Sequence, residues 1–526
     1  MSYNAPLFLF VFLPLSWGVT RLIPRRGQWL SLLLFSWVYY LSFSPRMLLV
    51  LVFTICCTYL SGLILERLFK RADRLARQTA DRQDRKAVKA RVKRQARLVL
   101  AAAIVIILGE LILFKYLSFF TTNLNLLLSL VSAPKSLPLL KLGEPLGISF
   151  FTLQSLSYLI DVFRRKYPAE RHWGRLALWL SFFPQIMEGP ICRYDQTAAS
   201  LFAGHSLKLA DLTSGGQRII WGLFKKVVIA DRLNPLVTAV FDHPQQQAGL
   251  TVLVGAFCYT MQLYADFSGS IDIVIGSARL FGIALPENFN RPFFSRSASE
   301  FWRRWHISLG AWLRDYVFYT ISFSHRMKQW DKKHRGDWLY FFPLAIALAA
   351  VWLCNGLWHG AGWQYIFFGL YYYVLILGGN LLEPVYRQIF TGLGWSRQSR
   401  GWQVFQIART FLLVILGELI FRSPSLGQAF GLIARGFSRF SLTTLQDGSL
   451  LKLGLDKADW IVVALGLVLL FSVESIQEAG LNFSLRLSQL PRAGRWALYL
   501  GLIFVIVIAG AYGRNYGVVP LIYAGF

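Results

Sequence analysis

Long apolar runs separated by short polar or basic breaks dominate this chain, and their lengths predict membrane-crossing helices. The first four begin near Ala5, Trp29, Met47 and Leu98, each of about 17–20 residues, the length a hydrocarbon core requires. Further runs cover approximately Leu146–Val162, Leu176–Met187, Ile219–Val240, Thr251–Phe281, Trp338–Leu357, Trp363–Leu382, Phe405–Phe421, Trp460–Phe471 and Trp496–Tyr512. Three stretches, GISFFTLQ, FFPQIMEGP and YADFSGS, shorten or interrupt this pattern with Gly, Pro or charge. Non-helical backbone at membrane depth survives only where protein buries it or water lines it. The three breaks therefore predict re-entrant elements around an internal cavity. Leu285 to Ser299, with Pro286, Asn288, Asn290, Arg291 and Pro292, is a polar irregular lead-in expected at an interface. No internal repeat of fixed period is evident, which weighs against an inverted-repeat transporter.

Behind that lead-in, Glu300 to Tyr319 reads EFWRRWHISLGAWLRDYVFY. As one helix it would place Trp302, Trp305, His306, Leu309, Trp312, Leu313 and Tyr316 on a single face, with Arg303, Arg304, Arg314 and Asp315 elsewhere. A titratable ring on the buried side of such a helix is costly unless paired or used.

Composition agrees with the run lengths. The 526 residues are 55% hydrophobic and only 16% charged, with mean hydropathy +0.46, too apolar for an ordinary soluble protein. The net charge of +28 would suggest nucleic acid in a soluble chain. Here much of it lies in loops between apolar runs, where it marks the cytoplasmic side, and no nucleic-acid partner is expected. The segment Glu66 to Arg97 carries thirteen Lys and Arg against four acidic residues. It is expected to be cytoplasmic, which places Arg21–Gln28 inside and both Ser44–Arg46 and the N-terminus outside. Its plainest reading is a solvated helix that fixes topology; contact with anionic lipid or an acidic carrier is the alternative. The N-terminal run lacks a basic n-region and a small-residue cleavage site and reads as a retained span. The five cysteines form no C-x-x-C pair, so neither a disulfide frame nor a metal site is expected.

Of the seven histidines, His172, His205, His243, His325 and His334 lie in polar or loop-like sequence, leaving His306 and His359 in aromatic, apolar surroundings. Acyl transfer to a hydroxyl needs a base, an oxyanion stabiliser and exclusion of water, and histidine is the side chain whose pKa suits the base. His359 lies between Trp358 and Gly360-Ala361-Gly362, small residues that allow an acyl group close to the backbone. The competing reading is a helix end whose glycines permit a turn. For His306 the competitor is an interfacial ring reaching toward headgroups. Asn355, four residues before His359, shares its helix face and is placed to hold a ring nitrogen. Asp266 and Asp272 either orient a histidine or form buried ion pairs. Arg193 and Tyr194 either face a donor phosphate or pantetheine entry or anchor the interface. Trp302 and Trp305 either narrow a tunnel or pack.

Five segments together resemble the membrane-bound O-acyltransferase (MBOAT) family: GISFFTLQSLSYLIDVFR (Gly147–Arg164), FFPQIMEGPICRYDQ (Phe182–Gln196), YADFSGSIDIVIGSARLFGIALPENFNRPF (Tyr264–Phe293), the EFWRRWHISLGAWLRDYVFY segment and CNGLWHGAGWQYIFFGLYYY (Cys354–Tyr373). The match looks most like the alginate O-acetylation branch, with teichoic-acid D-alanylation proteins sharing the histidine motifs. Glu188 before Gly189-Pro190 and Ser270 after the DFSG stretch depart from the pattern.

The resemblance implies an all-α polytopic membrane protein, a ring of transmembrane and re-entrant helices around a central tunnel. It implies one integral membrane domain over 1–526: N-terminal spans in 1–140 with the basic loop 66–97, a catalytic core in 145–383, and C-terminal spans in 400–526. His359 maps to the histidine most associated with catalysis, His306 to the second. Trp302, Trp305, Asn355, Trp358, Asp266, Asp272, Arg193 and Tyr194 are then tunnel or substrate-binding candidates. No bound cofactor or metal is implied. The donor would be acetyl-CoA or another acyl thioester, and the location the plasma (inner) membrane. Partners would be an extracytoplasmic acyl-accepting protein or polysaccharide export machinery, membrane lipids and a cytoplasmic acyl carrier. D-alanyl transfer to teichoic acid is the alternative within the enzyme class; a non-enzymatic polysaccharide or lipid exporter is the alternative outside it.

Overall fold

The computed structural model of the chain describes residues 1–516 except 44, 132–135, 141, 248, 335, 337, 395, 439, 482 and 513–515. Ser44, in the turn expected outside, and the last ten residues lie outside the described residues. All regular structure among the described residues is helical. Among the described residues eight helices are long and apolar enough to cross a membrane: Pro45–Gln78, Arg82–Leu130, Leu250–Leu280, Leu339–His359, Trp363–Gly392, Arg400–Arg422, Lys457–Glu478 and Arg492–Ala509. Leu7–Leu22 and Ile148–Phe163 are shorter apolar helices. The protein is a polytopic, all-α membrane protein.

Contacts group these elements into two compact units, Met1–Gly216 with Val274–Pro286, and Gln217–Ile273 with Glu287–Phe526. In the first, the basic segment is a helical hairpin. The helix Leu48–Gln78 runs straight out of its apolar half, and the helix Arg82–Leu111 returns after Asp81 caps it by accepting from the Gln83 and Asp84 N–H groups at 2.8 and 3.0 Å. Ala72, Ala76, Val92 and Ala96 are buried on the inner faces, and all thirteen basic side chains are exposed.

Of the three expected breaks, one is present. Residues 182–193 carry no helix yet are buried throughout. The backbone there is satisfied from outside its own turn: Ser36 Oγ accepts the Phe183 N–H at 3.0 Å, and Tyr3 donates its hydroxyl to the Phe183 carbonyl at 2.9 Å. The other two stretches are helical and correct the expectation. GISFFTLQ lies in Ile148–Phe163 and YADFSGS inside Leu250–Leu280. Gly269 serves close packing and not a break: a Cβ there would lie 2.8 Å from the Gly222 carbonyl oxygen, and a Cβ on Gly222 would lie 2.5 Å from the Gly269 carbonyl oxygen. The two backbones touch because neither residue has a side chain.

In the second unit the same device closes a helical hairpin. The helix Phe342–His359 packs on Trp363–Gly392. A Cβ on Gly356 would come within 2.4 Å of the Tyr365 carbonyl oxygen, and one on Gly369 within 2.2 Å of the Trp352 carbonyl oxygen. The hairpin ends at His359, and that close packing places the ring.

Candidate active site

The expected continuous helix from Glu300 to Tyr319 is broken in the middle. One helix covers Ala298–Arg304, Trp305 is extended, His306 is left-handed at φ +45°, and a second helix covers Ile307–Leu313 before a π-helical turn at Arg314–Phe318. No Gly or Pro marks the break. Its cause is tertiary, because the irregular lead-in segment Asn288–Asn290 runs alongside. Ile307 donates its N–H to the Asn288 carbonyl at 3.0 Å, Asn290 donates to the Arg304 carbonyl at 2.9 Å, and Asn288 Oδ1 accepts the Ser308 N–H at 2.9 Å. These bonds satisfy the orphan amides at the start of the second helix. They also offset a left-handed non-glycine residue, which costs about 1–2 kcal/mol. A charge clamp holds the segment from outside: Glu478 binds Arg291 at 2.7 Å and Arg304 at 3.0 Å, and Arg304 reaches Glu300 at 2.7 Å.

The break turns His306 into a fully buried position. Its ring meets Phe267 edge to face at 4.9 Å and Trp358 at 5.2 Å, and Nδ1 lies 3.5 Å from Asn288 Oδ1. His306 lies outside the eight candidate spans, and burial pushes its imidazole down to about 3, which favours the neutral ring. From pH 6.5 down to about 3 the unfolded chain binds a proton at this ring that the folded chain does not. The folded state therefore keeps this contribution above pH 6.5 and loses it as pH falls toward about 3. His306→Gln is expected to flatten the acid side of a thermal-unfolding midpoint series in detergent; a series of unchanged slope contradicts the neutral, buried ring.

His359 is the last residue of its helix and is also buried. Its ring meets Trp358 at 4.9 Å, Phe421 at 5.1 Å and Phe368 at 5.8 Å, all near perpendicular. Trp358 therefore touches both imidazoles, and the two histidines converge on one indole in a buried, aromatic site. The room expected beside the small residues is filled. A Cβ on Gly360 would lie 2.3 Å from the Tyr365 ring and one on Gly362 would lie 2.5 Å from Gln364 Oε1. Both glycines serve the tight turn into the next helix.

The remaining candidates divide. Trp302 reaches the His359 side through Phe368 at 6.0 Å and packs on Tyr372 at 4.9 Å and Trp352 at 5.0 Å. Asn355 is buried one turn before His359, its Nδ2 without a partner among the described residues. Trp305 packs away from both rings, on Phe289 at 5.0 Å, Phe301 at 5.3 Å and Tyr264 at 5.8 Å. Asp272 pairs with Lys225 and, at 2.7 Å, with Arg218, while Asp266 meets Lys226 at 2.8 Å and Lys226 meets Asp231 at 2.8 Å. Both lysines sit in the π-helical stretch Phe224–Ala230, so these aspartates belong to buried ion pairs. Arg193 and Tyr194 belong to the first unit. Arg193 precedes the Tyr194–Ala203 helix and donates its N–H to Gln196 Oε1 at 2.9 Å, and the Tyr194 hydroxyl donates to Glu170 at 2.6 Å. Asn288, Phe267 and Phe421 were not singled out by sequence reasoning. Only Asn288 left a trace, as a polar residue in an irregular segment. Among the described residues no group of His, Cys, Asp and Glu is arranged to hold a metal.

The sequence model of the membrane-bound O-acyltransferase family matches residues 175–417, which include both histidines. Over 85% of its length the chain is 33% identical to the probable alginate O-acetylase AlgI of Azotobacter vinelandii, covering 80% of that protein. The chain belongs to the MBOAT family. This MBOAT chain is also 30% identical to the peptidoglycan O-acetyltransferase of Helicobacter pylori, over 70% of its length and 68% of that protein. To the teichoic acid D-alanyltransferase of Bacillus subtilis it is 31% identical over 52% of its length and 68% of that protein. The protein is thus a membrane-bound O-acyltransferase, and the exporter alternative is set aside. His306, Trp358 and His359 all lie within the matched residues.

Proposed function

We propose that this MBOAT protein moves an acetyl group from a cytoplasmic thioester, acetyl-CoA, to hydroxyls of an extracytoplasmic polysaccharide or of a partner protein that completes the transfer, at the plasma (inner) membrane. The observation that carries the reading is the convergence of His306 and His359 on Trp358 in a site closed by aromatic rings. A thioester opened there meets an alcohol in preference to water. His359 takes the proton of the acceptor hydroxyl as its oxygen attacks the thioester carbonyl. The C–O bond forms, the C–S bond breaks, and the thiolate leaves with the proton that His359 returns. No bound cofactor is required, because the thioester already holds the activated acyl group.

Acetyl is favoured over D-alanyl by coverage, since the similarity to the alginate O-acetylase extends over 85% of the chain and that to the D-alanyltransferase over 52%. The exposed basic hairpin around Glu66–Arg97 supports a cytoplasmic orientation of that end. It is also the surface on which an acidic carrier would dock if the donor were a carrier thioester. Mass spectrometry of cell-surface glycans with and without the protein decides the matter. Loss of an acetyl increment is expected, loss of an alanyl increment would transfer the reading to the D-alanyl reaction, and unchanged glycans would contradict it.

A further inference from the structure

Three contacts fix what the Asn288 amide does. It is fully buried; its main-chain carbonyl holds the Ile307 N–H, its Oδ1 holds the Ser308 N–H at 2.9 Å, and the same Oδ1 faces His306 Nδ1 at 3.5 Å. The oxygen and nitrogen of an amide are told apart by their neighbours. The Ser308 N–H can only donate, so the amide atom facing it is the oxygen. A flipped amide would set NH2 against N–H and lose the bond that caps the second helix. Nδ2, on the other side, has no partner among the described residues, so nothing there draws the amide around.

An oxygen that faces Nδ1 leaves that nitrogen one compatible role, the donor, because two lone pairs at this distance repel. A neutral imidazole with its hydrogen on Nδ1 carries its lone pair on Nε2. We propose that Asn288 is the positioning residue of the active site: it fixes His306 as the Nδ1–H tautomer, so that Nε2 is an acceptor, open to a hydrogen bond from a second hydroxyl of the polysaccharide acceptor and unable to donate one to the acyl oxygen. The inference deepens the acyl-transfer reading and rests on it for its last clause only. It divides the labour of the two histidines: His359 removes the proton of the attacking hydroxyl, and His306 holds the acceptor through a neighbouring O–H. The left-handed turn at His306 follows from the same contacts, since one amide from an earlier segment caps the second helix and holds the ring.

Magic-angle-spinning 15N spectra of the full chain in lipid, labelled at histidine and assigned to His306 by the loss of one signal set in His306→Gln, read the tautomer directly. The expected result is a protonated Nδ1 and a bare Nε2; the opposite pattern overturns the proposal whether or not the protein transfers acyl groups. Asn288→Asp keeps an oxygen toward both donors and should keep the tautomer, whereas Asn288→Leu should release it to a mixture. In the glycan assay Asn288→Leu should lower acylation about tenfold or more, as loss of a histidine-orienting partner does, with Asn288→Asp restoring most of it. Equal activity of the unmodified and Leu chains, or an Asp variant no better than Leu, overturns the positioning role. A spectrum that bears out the tautomer in a chain without acyltransferase activity upholds the positioning and removes only the hydroxyl contact.

Discussion

His359→Ala is expected to lower acyl transfer by about a thousandfold while the protein still inserts and keeps its fold. General-base catalysis supplies about 10²–10⁴-fold. The other dry-site groups, Trp358, Phe368 and Phe421, remain to hold the reactants, so activity falls toward the level that positioning alone sustains. Insertion is spared because His359 is the final residue of its helix; its loss leaves the apolar run intact. Glycan acetylation per unit of membrane-inserted protein is the measurement. Activity within a few fold of the unmodified chain would return His359 to the role of a helix end.

Gly369→Ala and Gly356→Ala are expected to destabilise the protein and abolish activity together, although alanine ordinarily stabilises a helix relative to glycine by about 1 kcal/mol. The sign reverses because the added methyl would come within 2.2 Å of the Trp352 carbonyl oxygen in one case and 2.4 Å of the Tyr365 carbonyl oxygen in the other. Neither obstacle is a flexible side chain. The two helices must part, at a cost of about 1–3 kcal/mol for overpacking. Parting them moves His359 from Phe368 and Phe421, and misplacement by about 1 Å costs about a hundredfold in rate. Gly378→Ala in the same helix is the control, since a Cβ there meets nothing within 4 Å. Melting midpoints in detergent should fall for Gly356 and Gly369 and hold or rise for Gly378. Three equal midpoints would refute the close-packed hairpin.

The sequence made the architecture and the two histidines legible for different reasons. Membrane spans follow from run length, which needs no tertiary information. His306 and His359 stood out as titratable rings within aromatic runs, and the family motifs raised both above packing. The break at Trp305–His306 was hidden because Arg304, Trp305, His306 and Ile307 carry no helix-breaking residue. The conformation there is set by hydrogen bonds from Asn288 and Asn290, which no periodicity reports. The same blindness ran the other way at YADFSGS, where Gly269 looked like a break and proved to be the seat of a helix crossing. Asp266 and Asp272 could not be assigned from sequence because their partners, Lys225, Lys226 and Arg218, arrive from a different helix.

The most direct test of two histidines serving one acyl transfer across Trp358 is an electron cryo-microscopy map of the full chain in lipid, bound to a thioether analogue of acetyl-CoA. The analogue's acetyl carbon is expected beside Trp358, within near-attack reach, about 3–3.5 Å, of an acceptor position shared by the His359 and His306 rings. A map in which the analogue binds elsewhere, or in which the indole no longer touches both imidazoles, would contradict it.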